Sequence, residues 1–147
     1  METVEQLLLS RGASQRIAAH ARAANPAEAV GILGGTPNGR VAYVAPLPNL
    51  AENGAFLADP RAQFEAERAF SRLRVAPVAA YHSHPGGTAT LSPADRILAS
   101  RSLIQLIVAL GGDGRITMRA YRVAAVVHEV PVRVEDRSGL GPEGAAA

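Results

Sequence analysis

Cysteine is absent from the chain, which excludes disulfides, thiolate nucleophiles and cysteine-bound zinc in any compartment. Lysine is absent too, and all fifteen basic residues are arginine. No side-chain amine can therefore accept a modifier, and the pI of about 9.7 reflects guanidinium groups that stay protonated at any accessible pH. No apolar run approaches the ~20 residues of a membrane-spanning helix. Glu2 and Glu5 stand where a secretory signal would place basic residues, so a cytoplasmic protein is expected. The net charge is only +2, and without a basic run or an aromatic platform nucleic acid is not an expected partner.

What remains is a chain of 147 residues, 48% of them apolar, enough for one domain with a real core. That domain is expected over residues 1–137, with a frayed tail of Gly, Pro, Glu and Ala at 138–147. Leu7-Leu8-Leu9 predicts a short strand, although Val4 to Leu9 reads equally as helix. Ser14 to Ala24 predicts a helix capped by Ser14, with Ile17, Ala18, Ala21 and Ala24 on one face. Its His20 has no partner at metal-ligand spacing. Ala27 to Leu33 is a buried strand interrupted by Gly31, and Arg40 to Leu47 is the returning strand of a hairpin. A loop with Pro48, Asn49, Asn53 and Gly54 follows. Asp59-Pro60 then opens a helix over 61–74 with Ala62, Ala66, Ala69, Phe70 and Leu73 on its apolar face. Strands are expected at 78–81, 103–110, 116–123 and 126–134, with a helix over 93–101. About three helices mixed with strands, without strict alternation, define an α/β or α+β domain with a mixed or largely antiparallel sheet.

The chemistry concentrates between Ala80 and Asp95. The apolar strand ending at Tyr81 leads into His82 and His84, and residues two apart in a strand point to the same side. Pro85-Gly86-Gly87 then turns the chain. Ser92-Pro93-Ala94-Asp95 reads as a helix start, with Ser92 as N-cap and Pro93 at the first helical position. A loop of this length can bring Asp95 back to the histidines. Two imidazoles, one carboxylate and an open fourth position match a catalytic zinc site. Amide hydrolysis also requires a group to carry the proton, and spacing alone does not choose among Glu28, Glu52, Glu65 and Glu67.

His82-Ser83-His84-Pro85, seven residues between His84 and Ser92, and then Ser92-x-x-Asp95 closely resemble the signature of the JAMM (MPN-plus) metalloproteases. The resemblance implies a curved central sheet flanked by helices over roughly Ser14 to Val134. It also implies one catalytic zinc on His82, His84 and Asp95, with Ser92 donating to the oxyanion. Its general base lies in a Glu-x-x-Gly-x-Leu-x-Gly context, which selects Glu28. The family cleaves peptide or isopeptide bonds at the C-terminus of ubiquitin-like proteins. This chain lacks the insertion that carries a second, structural zinc, and so is similar to the compact prokaryotic members. The implied substrates are β-grasp modifiers and sulfur carriers ending in Gly-Gly. A peptidase releasing an amino acid from a sulfur carrier, or a non-catalytic MPN scaffold, is the alternative. The oligomeric state is left open.

Overall fold

The computed structural model describes residues 5–51 and 55–136. Its elements run β1 (Leu7–Ser10), α1 (Arg11–Ala24), β2 (Val30–Gly35), β3 (Val41–Leu47), α2 (Pro60–Arg72), β4 (Ala76–Pro85), α3 (Pro93–Leu98), β5 (Ile104–Leu110), β6 (Ile116–Val123), β7 (Val127–Val130) and β8 (Val132–Glu135). Six strands form one sheet in the order β3-β2-β4-β5-β6-β7, while β1 and β8 make a separate pair. Within the large sheet only the central pair, β4 with β5, is parallel. The domain is thus mixed α+β with three helices, as expected. No helix among the described residues is long and apolar enough to cross a membrane.

The central strands are covered on both faces. Ala13, Ile17 and Ala21 of α1 pack with Leu33, Ala79, Tyr81, Leu106 and Val108. Across the sheet, Phe70 of α2 packs with Val30, Ile32, Tyr43 and Leu47. Strand β5 has one face in the α1 layer, through Ile104, Leu106 and Val108, and packs Ile107 and Ala109 on the other face with Ala89 and Tyr121, so all seven of its residues are buried. Neighbours in sequence take opposite faces, as Ile32 and Leu33 do. Gly31 pairs with Tyr81, and a Cβ there would stand 2.1 Å from the tyrosine ring. The interruption in the apolar strand is therefore the seat of an aromatic side chain.

Several boundaries differ from expectation. The helix begins at Arg11 because buried Ser10, not Ser14, caps it and accepts the Ala13 N–H at 3.0 Å. Leu7–Ser10 is a strand with all four residues buried. Helix α2 ends at Arg72, with Leu73 as its C-cap and 44% exposed. Helix α3 stops at Leu98 rather than residue 101. Ala99 is extended, and exposed Ile97 and Leu98 supply no packing to lengthen a helix too short to persist alone. The strand expected over 126–134 is two strands. Proline cannot donate to a ladder, and Pro131 divides β7, which pairs with β6, from β8, which pairs in parallel with β1. The expected tail at 138–147 lies outside the described residues.

Candidate active site

The C-terminal end of β4 gathers the polar groups of the motif. His82 Nε2 and His84 Nε2 lie 3.1 Å apart. Asp95 meets both, with Oδ1 3.1 Å from His82 Nε2 and Oδ2 3.1 Å from His84 Nε2. The register of β2 against β4 sets Val30 opposite His82. Glu28 stands two residues before Val30, at the entrance to β2. Ligand atoms of Glu28, His82 and His84 all lie within 4.8 Å of one another. Glu65 is exposed on α2, and Glu67 there accepts from Gln63 Nε2 at 3.1 Å. Glu52 falls outside the described residues.

Local hydrogen bonds hold this arrangement. Ser92 and Asp95 form a capping box. The Asp95 N–H donates to Ser92 Oγ at 3.0 Å, and the Ser92 N–H donates to Asp95 Oδ2 at 2.9 Å. The serine hydroxyl accepts in this exchange and keeps its own proton to donate elsewhere. His84 Nδ1 lies 2.7 Å from the Thr88 carbonyl oxygen. A carbonyl only accepts, so Nδ1 carries a proton, and Nε2 is the nitrogen turned toward His82 and Asp95.

The carboxylates are tuned in opposite directions. Burial pushes the Asp95 carboxyl up, but hydrogen bonds from His82 and Ser92 outweigh it and hold the group well below the usual carboxylate range. For Glu28, burial prevails over the attraction of His82 and His84 and raises the carboxyl above its ordinary value. The donor set also suits a metal. Tetrahedral zinc with bonds of ~2.0–2.1 Å holds its ligand atoms about 3.3 Å apart, close to the 3.1 Å edges found here. Two imidazole nitrogens and a carboxylate converging at that distance form a donor set that suits a cation.

Other groups at the site carry no motif. Phe56 stacks on His82 with ring centroids 4.0 Å apart and an interplanar angle of 18°. Fully buried Ser83, between the histidines, accepts the Ala29 N–H at 2.7 Å. Nothing in the linear sequence marks Phe56, which sits in a polar loop. A polar residue at an inward strand position was the available signal for Ser83. His20 is half-buried, and its Nδ1 lies 2.7 Å from Tyr81 Oη, away from the histidine pair.

A six-stranded sheet with this histidine–carboxylate cluster at one strand end is the architecture of JAB-type domains. Residues 10–124 match the profile described as prokaryotic homologs of the JAB domain, and the chain belongs to that family. A protein of Thermus thermophilus named probable TtuB-protein conjugate cleaving protease is 37% identical over 110 residues, 74% of this chain and 72% of its own length. The solution structure of a Desulfitobacterium hafniense protein has a TM-score of 0.82 and 30% identity, covering 90% of this chain and 94% of that one. A JAB1/MPN domain protein from Archaeoglobus fulgidus has a TM-score of 0.57 at 22% identity, covering 87% of this chain and 99% of its own. At that identity the likeness concerns the fold alone.

Proposed function

We propose that this chain is a zinc metalloprotease that hydrolyses the peptide or isopeptide bond at the C-terminal Gly-Gly tail of a ubiquitin-like or sulfur-carrier β-grasp protein. The coarser reading, a deconjugating protease, is supported by the family and by the relative named for cleaving TtuB conjugates. The observation that carries the chemistry is the 3.1 Å cluster of His82, His84 and Asp95 with Glu28 beside it.

His82 Nε2, His84 Nε2 and the Asp95 carboxylate would hold the ion. Bound there, zinc supplies Lewis acidity, polarising the substrate carbonyl and lowering the pKa of water. Glu28 is the general base. Its carboxylate takes a proton from the attacking water and passes it to the leaving amine as the C–N bond breaks. In the metal-free site burial raises this carboxyl, the direction that favours proton acceptance. The Ser92 hydroxyl donates to the carbonyl oxygen as negative charge develops, an interaction of a few kcal/mol in comparable sites.

The test is cleavage of a linear carrier-protein fusion and an isopeptide conjugate side by side, by wild type and Glu28→Ala, with zinc measured by elemental analysis. Activity lost on Glu28→Ala with zinc retained is the expected result, and the preferred bond follows from the faster substrate. Folded wild type with neither zinc nor activity would sink the catalytic reading and favour a scaffold.

A further inference from the structure

We propose that Asn49 is a positioning residue for this site, setting both the main chain of Glu28 and the loop segment that stacks Phe56 on His82. The proposal rests on reading Glu28 as the base and His82 as a ligand. A carboxamide has two N–H donors and an oxygen that accepts twice, and Asn49 uses all four. Its Nδ2 donates to the Glu28 carbonyl at 2.9 Å and to the Ala55 carbonyl at 3.2 Å. Its Oδ1 accepts from the Ala51 N–H at 3.0 Å and the Leu57 N–H at 2.9 Å.

An asparagine that only closes a loop bonds its own neighbours, as Asn49 does with Ala51. The bond to Glu28 is different, because it leaves the loop for a strand entrance 21 residues earlier in the chain. The other polar atom of that peptide, the Ala29 N–H, is taken by Ser83 Oγ. Two side chains thus grip the peptide just after the glutamate, one on each side, ahead of the point where β2 begins. On the loop, the two residues flanking Phe56 both bond Asn49 through their main chains. The aromatic ring that covers His82 is therefore held by the same carboxamide. One side chain links the proton carrier to a ligand-covering ring.

Asn49→Asp separates the two halves of the carboxamide, since a carboxylate still accepts from Ala51 and Leu57 but cannot donate to Glu28. The experiment compares wild type, Asn49→Asp, Asn49→Ala and Phe56→Ala in three measurements. These are thermal melting, zinc affinity by competition with a chromophoric chelator, and steady-state cleavage of the conjugate. Asn49→Asp is expected to melt near wild type and keep KM within about threefold, while kcat falls about 10–100-fold, as displacing a catalytic group by about 1 Å can do. Asn49→Ala and Phe56→Ala are each expected to weaken zinc binding about tenfold, the lower end for groups that orient metal ligands. A kcat for Asn49→Asp within threefold of wild type overturns the proposal, as does unchanged zinc affinity in both other variants. If Asn49→Ala does not fold, Phe56→Ala and Asn49→Asp decide. If wild type cleaves neither substrate, the functional reading fails separately, and the zinc affinities alone decide the role of Asn49.

Discussion

With the Thr88 carbonyl accepting from His84 Nδ1, the Nε2 atom of that ring is held against the Asp95 carboxylate at the end of β4. Glu28 and Asp95 share these imidazole neighbours but differ in what else reaches them. Asp95 gains the Ser92 N–H and stays ionised, while burial raises Glu28. The sign of the pH effect follows. A base must be ionised to work, so Glu28 gives kcat/KM an acid limb, and a cation held beside it would oppose the rise that burial causes in the metal-free site. Glu28→Gln is expected to remove that limb and to cost about 10²–10⁴ in rate. An acid limb that survives Glu28→Gln would contradict this. Spacing along the chain left four glutamates equivalent, because strand register is not written in a linear sequence. Once Val30 pairs with His82, Glu28 lies beside the histidines and the helical glutamates do not.

Elements were legible where one local signal dominated. The apolar run of β5, the Asp59-Pro60 opening of α2 and the Ser92-Pro93 opening of α3 each carry their own pattern. The start of α1 and the division of β7 from β8 depend on partners far away, and local reading placed both wrongly. Ser10 is a cap that also ends a strand, and β8 exists through its parallel pairing with β1. Gly31 shows the same dependence, since its purpose appears only when Tyr81 lies over it. Gly31→Ala is expected to destabilise the fold by about 1–3 kcal/mol through overpacking, measured by denaturant unfolding. A change within about 0.5 kcal/mol would mean that the Tyr81 ring moves aside freely.

For the whole molecule, pH and metal act on the same equilibrium. Burial lowers the pKa of His20, so the folded state resists its protonation. Its contribution is complete above the ordinary histidine value of about 6.5 and is lost as pH falls through the folded value. Asp95, also lowered, contributes fully above about 4 and loses that contribution at still lower pH. The metal-free protein is therefore expected to lose melting temperature through the His20 range and again below about pH 4, with the raised Glu28 carboxyl opposing the fall between them, and a flat profile down to about pH 3 would contradict the His20 and Asp95 assignments. On the proposed reading zinc would bind only where strand end, loop and helix start have been brought together, so its binding would report on fold and site at once. The most direct measurement is zinc content per chain after dialysis for wild type, His84→Ala, Asp95→Ala and Glu28→Gln. One ion in wild type, none in the histidine and aspartate variants and one in Glu28→Gln is the expected pattern. Folded wild type without zinc would contradict the metalloprotease reading, and loss of zinc on Glu28→Gln would make the glutamate a ligand rather than the base.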